Sequence, residues 1–398
     1  VIDEAGEVAP LPQLLGAVQA IIDADRRAGS DAGSDASLGI GVLTSLPRDE
    51  WAALRTALEE GDNLDTINTI DSALFAVCLD RSSPEDHAAV NRCMLHGDGV
   101  DRWLDKSFQL IVTANGKAAV NFEHSWGDGV AVLRFFNEVF SASSAMADPP
   151  SAPPADLPCQ LEWALPPQLP SAIADAKSRF AATVDSTELC VMMSDDFTSG
   201  KLKACKVSPD GMMQMAFQLA HMRMHGYSAS TYESASTAAF KHGRTETIRS
   251  ATPDSAAMAA AFCNPAVSDS ERARLMRKAV ANHSRITREA LMGKGFDRHL
   301  FALRALALSR GSALPPLFET AAYRTLSKII ISTSTLASDA IENGGFGPVN
   351  SDCYAVGYGI RDEGCMAQVM SYGRDSEGFK DCLFNAIKDM SHVMSLSE

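Results

Sequence analysis

His124 and Asp128 stand four positions apart in the run NFEHSWGDG, residues 121–129. Their types and spacing suit proton transfer. An imidazole has an ordinary pKa of about 6.5, so it takes or gives a proton near neutral pH without much tuning. A carboxylate on its other ring nitrogen would fix the tautomer and aim the ring. The competing reading is a histidine satisfied in the core, with Asp128 serving only the turn.

Other polar groups recur in telling contexts. Lys201, Lys203 and Lys206 precede Ser208-Pro209-Asp210, which reads as an N-cap, a proline at the first helical position and an acid in the first turn. Lysines there can hold a phosphate through charge, backbone donors and the helix dipole together; a solvated basic loop is the alternative. Residues 230–249, STYESASTAAFKHGRTETIR, concentrate Tyr232, Ser234, Ser236, Thr237, Arg244, Thr245 and Arg249. Such groups suit a ligand bearing a carboxylate or hydroxyl, and equally a polar strand edge. Asp297-Arg298-His299 opens an apolar helix pattern, and STST (332–335) closes the apolar run Ile329 to Ile331. A serine at a strand end can support an oxyanion or merely shape a turn. Gly344-Gly345-Phe346 gives a loop without bulk before an aromatic, either a tight turn or a vacant groove.

The elements that must position these groups follow from periodicity. Ala118, Val120 and Phe122 alternate as in a half-buried strand, and Val130, Leu133, Phe136, Val139 and Phe140 recur at helical spacing. His124 is therefore expected at the C-terminal end of a strand, in the turn before a helix, where α/β proteins place working residues. Before it, strand and helix patterns alternate over Leu38 to Thr44, Asp49 to Glu59, Ser72 to Leu79 and Ser107 to Val112. After it, a methionine-rich helix runs through Met212, Met215 and Met222 to a glycine stop at Gly226, its methionines read as core filler. Tyr354 to Ile360 and Cys365 to Tyr372 flank the turn RDEG as a hairpin. A mixed α/β protein follows. Eight of the 18 prolines fall between Met146 and Pro170, which excludes continuous helix or central strand there. The expected organisation is a first domain over 1–145, a Pro-rich linker over 146–170 and a second domain over 171–398. The run RRAGSDAGSDAS (26–37) reads as a flexible loop.

Composition narrows the partners. The 398 residues are 46% hydrophobic and 21% charged, enough for two domains with a sizeable core. A net charge of -15 argues against a general nucleic-acid or anionic-membrane surface, so a phosphorylated ligand must find a local cluster of cations. Nine cysteines without a CxxC pair suit reduced thiols rather than a disulfide framework or a zinc site, and no metal is expected. No apolar run approaches the ~20 residues of a membrane span. The first residue is Val1, read as a sign of a processed product or a piece of a longer protein.

In order along the chain, DRWLDKSF, EHSWGDG, KVSPD, TYESASTAAFKHGRTETIR, GFDRHLFALR and STST followed by GGFGPV resemble the carnitine/choline acyltransferase family. The likeness is greatest to its mitochondrial, long-chain branch and runs from about residue 40 to the C-terminus, with the N-terminal part of the family's catalytic core absent. The resemblance implies the two-domain α/β fold of coenzyme A-dependent acyltransferases of the chloramphenicol-acetyltransferase type, with mixed sheets and surrounding helices. It implies transfer of long-chain fatty acyl groups between carnitine and coenzyme A, with His124 as general base, Asp128 orienting it, Ser334 at the oxyanion and no covalent enzyme intermediate. It implies Tyr232, Ser234, Thr245 and Arg298 at the carnitine carboxylate and Phe346 beside the trimethylammonium, where a cation can lie against a ring. Lys201, Lys203, Lys206 and Asp210 would hold coenzyme A. The family has a lysine four residues before Lys203 where this chain has Ser199; Lys201 is placed to compensate, and without compensation coenzyme A affinity would be weakened. Gly344 matches a position that is bulky in short-chain members, so a glycine opens the acyl tunnel to a long tail. Acyl-CoA and carnitine would be the partners, with coenzyme A a substrate, no permanently bound cofactor, and room for peripheral membrane association on the matrix side of the mitochondrial inner membrane. The runner-up reading is a truncated, non-catalytic binder of acyl-CoA or acylcarnitine; a thioester hydrolase using the same His124 and Asp128 with water stands third.

Overall fold

The computed structural model describes residues 2, 6–30, 39–147, 150, 152–154, 157–335 and 338–396. The chain divides into two compact units. The first comprises Val1–Ser83, His96–Glu123 and Glu138–Ala182; the second comprises Pro84–Leu95, His124–Asn137 and Thr183–Glu398. The Pro-rich run of 146–170 falls within the first.

In the first unit a three-stranded sheet joins β1 (Ala76–Asp80), β2 (Phe108–Thr113) and β3 (Ala118–Phe122), with β1 parallel and β3 antiparallel to the central β2. The alternation of Ala118, Val120 and Phe122 thus does form a strand. The apolar run expected over Leu38 to Thr44 does not over its described part, Leu38 lying outside the described residues. Residues Ile40–Ser45 are a 3-10 helix entered from Gly39 at φ 69°, with Ile40, Val42, Leu43 and Thr44 all buried. A short, wholly buried run gives the same sequence signal as strand or as helix, so its periodicity cannot separate them. In the run 26–37 read as a flexible loop, Arg26 to Ser30 closes a helix, Leu11–Ser30, while 31–37 lie outside the described residues.

The second unit is built on a six-stranded sheet. Its strands are β4 (Glu188–Ser194), β5 (Thr231–Ser236), β6 (Thr245–Ile248), β7 (Ile331–Thr335), β8 (Tyr354–Ile360) and β9 (Cys365–Ser371), in the spatial order β4-β9-β8-β7-β5-β6. β8 and β9 form the expected antiparallel hairpin, while β7 lies parallel to both β5 and β8. One face of this sheet is core. Ile331, Val356, Tyr358, Ala367 and Val369 pack there with Met212, Phe217 and Leu219. The helix Pro209–His225 that supplies the last three is buried continuously from Gly211 to His221. It starts as its sequence predicts: Ser208 Oγ accepts from Gly211 N at 3.1 Å, and Pro209 fills the first position. It stops at Gly226, whose φ of 79° is a conformation glycine adopts without strain.

All nine cysteines are free thiols. Among the described residues, no helix is long and apolar enough to cross a membrane.

Candidate active site

His124 and Asp128 lie in the second unit, in the turn between β3 and the helix Gly129–Ser144. Their spacing brings them near each other: His124 Nδ1 is 3.6 Å from Asp128 Oδ1, an ion-pair distance longer than a hydrogen bond. The imidazole is 64% exposed and Asp128 20% exposed, so this is not a satisfied core histidine. A third residue fixes the turn. Arg244 Nη2 donates to His124 O at 2.7 Å, to Gly127 O at 3.3 Å and to Asp128 Oδ1 at 2.9 Å, while Nη1 donates to Ser125 O at 3.2 Å. One guanidinium thereby fixes both the backbone of the turn and the carboxylate beside the ring, as its rigid fork of donors allows. Arg244 stood out in the sequence only as one cation in a polar run; its partner Asp128 is 116 residues away, a distance only the fold closes.

Arg244 sits at the start of β6, and the hairpin β5-β6 carries the next group. Along β5, Thr231, Glu233 and Ala235 are buried, and Tyr232, Ser234 and Ser236 alternate with them on the opposite face. Cross-strand partners share a face, so pairing of Ser236 with Thr245, and of Tyr232 with Ser332, puts Thr245 and β7's Ser332 and Ser334 on that second face too. Tyr232, Ser234, Thr245 and Ser334 are thus displayed together, away from the core. Arg298, in the first turn of the helix Asp297–Ser309, reaches over: its Nη2 donates to Tyr232 Oη at 2.9 Å and Thr245 Oγ1 at 3.2 Å. Its backbone is held by Glu246 Oε1, which accepts from Arg298 N at 3.2 Å. Tyr232 and Arg298 line a cleft of about 490 Å³ that also receives Arg304, Arg324, Lys328 and the ion pair of Arg249 with Asp297. In a chain of net charge -15, that is a local concentration of cations suited to an anionic group.

The Gly344-Gly345 loop crosses the same sheet face, and the structure sorts its glycines. A Cβ on Gly345 would fall 2.1 Å from the Gln368 side chain, and one on Gly357 of β8 would fall 2.4 Å from Gly344 O. At Gly357 the loop and sheet backbones touch, and at Gly345 the loop lies against a side chain of the sheet, so neither position has room for a Cβ. Gly344 differs, since a Cβ there meets nothing within 4 Å. Phe346 is half-buried two residues on. Gly357→Ala should therefore lower stability by about 1–3 kcal/mol through overpacking, read as a fall in thermal midpoint, whereas Gly344→Ala should leave the midpoint unchanged.

The lysines lie at the other side of the sheet. Lys201 and Lys203 are on the short helix Ser199–Ala204, and Lys206 forms the left-handed link, φ 57°, to the Pro209 helix. Lys201 Nζ donates to Asp195 O at 3.0 Å; Lys203 and Lys206 are exposed. Asp210 turns toward the core face, where its Oδ1 accepts from Tyr358 Oη at 2.6 Å. Asp210, Glu233 and His283 place three potential ligand atoms within 4.8 Å of one another. Burial opposes the charge on His283, but the two carboxylates outweigh it and hold the imidazole up at about 9. The cluster thus carries its own cation. Burial also raises Asp210, and contacts with His283 and Tyr358 more than offset this to leave it below the usual carboxylate range. Glu233 is left as the excess carboxylate, pushed up to about 7 by burial.

A family model for choline/carnitine O-acyltransferase matches residues 1–385, so the likeness begins before residue 40. Mitochondrial carnitine O-palmitoyltransferase 2 of Xenopus tropicalis is 41% identical over 99% of this chain and 60% of that protein. The human protein of the same name is 44% identical over 91% of this chain and 56% of its own length. Human carnitine O-acetyltransferase is 33% identical over 80% and 53%. The chain thus spans between 53% and 60% of the length of these relatives.

Proposed function

This chain belongs to the choline/carnitine O-acyltransferase family, and from that premise we propose that it transfers a long-chain acyl group directly between carnitine and coenzyme A. The observation that carries the reading is the locked turn: Arg244 ties His124 and Asp128 to the start of β6, the hairpin strand whose Thr245 shares Arg298 with Tyr232. A base and a carboxylate-binding set are thereby held on one hairpin.

In the proposed step His124 removes the proton from the carnitine hydroxyl as that oxygen attacks the thioester carbonyl. The tetrahedral oxyanion lies toward the Ser334 hydroxyl, the carbon–sulfur bond breaks, and His124 returns the proton to the departing thiolate. The reverse reaction starts with the coenzyme A thiol. Asp128 orients the ring and steadies it while protonated, and Arg244 keeps Asp128 in place. Tyr232, Ser234, Thr245 and Arg298 receive the carnitine carboxylate, with Phe346 near the trimethylammonium. Lys201, Lys203, Lys206 and Asp210 receive coenzyme A. Both substrates meet at one base, so proximity supplies much of the rate and the atoms balance without a further cofactor. The palmitoyl relatives' names support a long-chain substrate and a mitochondrial location; the matrix side of the inner membrane, with peripheral membrane association, belongs to the proposal.

A second reading has its own support. The chain spans between 53% and 60% of the length of these relatives and its His124 is 64% exposed, which suits a non-catalytic binder of acyl-CoA or acylcarnitine. The two separate in one assay. Mixing the chain with palmitoyl-CoA and following free thiol should show release that depends on added carnitine; no release favours the binder, and release without carnitine favours a hydrolase. Under the transferase reading, Arg244→Gln should lower kcat by about 10²-fold, the scale expected when a reacting group is misplaced by an ångström. KM for coenzyme A should stay put, and an unchanged kcat would remove Arg244 from the mechanism.

A further inference from the structure

Behind the strand that carries Tyr232 lies a buried polar network of which the proposed transfer uses Asp210 alone. His283, on the helix Asp269–Leu291, is 2% exposed, and its Nε2 lies 3.5 Å from Asp210 Oδ2 and 3.3 Å from Glu233 Oε2. Neither ring nitrogen makes a hydrogen bond, nor does Glu233 Oε2; the contacts are ionic. On the other side, Tyr358 Oη donates to Asp210 Oδ1 at 2.6 Å. Gln214 Nε2 donates to Tyr358 Oη at 3.1 Å and to Thr333 Oγ1 at 2.9 Å, and Ser250 Oγ donates to Gln214 Oε1 at 2.7 Å. Each oxygen of Asp210 therefore faces a different buried partner.

Burying His283 and Glu233 beside Asp210 is costly, and a well-packed apolar core in such a place is often as stable or more so. Stability therefore gives no reason for the arrangement. The members differ in access: the Asp210 side chain is 36% exposed, His283 2% and Glu233 6%. Asp210 is the one that an incoming ligand can reach. The geometry points to His283 and Tyr358 as positioning residues for coenzyme A, which grip the two carboxylate oxygens of Asp210 and set the orientation it presents to that substrate. This rests on the assignment of Asp210 to coenzyme A made above. Glu233 serves as counter-charge to His283.

The effect should be confined to one substrate. β5 is paired on both sides, with β6 and with β7, so loss of a contact at Glu233 leaves the strand and Tyr232 where they are. Asp210 sits in a first helical turn, and its side-chain orientation depends on the two partners named.

The test compares Asp210→Asn, Tyr358→Phe and His283→Leu in the full chain, with coenzyme A binding measured by calorimetry beside kcat and both KM values. Tyr358→Phe keeps the ring and the fold. All three should weaken coenzyme A binding and raise its KM by roughly tenfold, with kcat and carnitine KM within about twofold of the parent. Combined with Asp210→Asn, each of the other two should add little, as expected when both act through the same carboxylate. If Asp210→Asn leaves coenzyme A binding unchanged, the substrate assignment itself is wrong. If Asp210→Asn weakens binding but folded Tyr358→Phe does not, the positioning role is overturned. A parallel loss in kcat and both KM values also overturns it, because a general packing role would move all three.

Discussion

His124→Ala should cut carnitine-dependent release of thiol from palmitoyl-CoA by roughly 10³-fold, the range removed with a general base, while the thermal midpoint stays within a degree or two of the parent. The two halves of this expectation have separate causes. The ring is 64% exposed, so its removal opens no core cavity, a usual route to a large loss of stability. The turn also survives, because Arg244 bonds the carbonyl oxygens of His124, Ser125 and Gly127 and the carboxylate of Asp128, none of which the substitution deletes. Substrate affinities should change little, since the carnitine and coenzyme A groups lie on other elements. The loss belongs in kcat. Residual turnover above about a tenth of the parent would mean that another group moves the proton.

Gly344→Met should move the preference from long toward short acyl chains. A methionine at 344 projects into open space, because even a Cβ there meets nothing within 4 Å. The fold therefore accepts the substitution, while an acyl path running past Gly344, as the family resemblance implies, would not accept a long tail. Each methylene kept in water costs about 0.8 kcal/mol of burial. A plug that excludes about six of them would lower kcat/KM for palmitoyl-CoA by roughly 5 kcal/mol, on the order of 10³-fold, while acetyl-CoA would be spared. The chain-length profile of kcat/KM reads this directly, and an unchanged profile would detach Gly344 from the acyl path. The neighbouring glycines are controls of the opposite kind. At Gly345 and Gly357 a side chain meets Gln368 or the Gly344 carbonyl, so substitution there should damage stability before specificity.

The parts of the molecule legible in the sequence are those that short-range periodicity encodes. The switch from alternation at Ala118 to Phe122 to helical spacing after Val130 placed His124 between a strand and a helix, and Ser208-Pro209 and Gly226 marked both ends of a helix. The β8-β9 hairpin was legible from its turn and flanking apolar runs. Ile40 to Thr44 was not, since a short buried run carries no periodicity to choose strand over 3-10 helix. The residues missed at the site share a different cause. Arg244, Glu233, His283 and Tyr358 act on partners far away in the chain, as Tyr358 does on Asp210 at a separation of 148. Glu233 was hidden further, because it sits in a run of hydroxyl-bearing residues whose alternate members face the other side of the strand. Gly357 offered a usable signal, a glycine inside an apolar strand, which marks close approach of another backbone.

Direct transfer between carnitine and coenzyme A would fix the stoichiometry of the products. The purified chain, given palmitoyl-CoA and carnitine, should form palmitoylcarnitine and free coenzyme A thiol in equal amounts, with no free palmitate and no thiol release when carnitine is omitted. Palmitate in place of palmitoylcarnitine, or binding of both substrates without product, would contradict it.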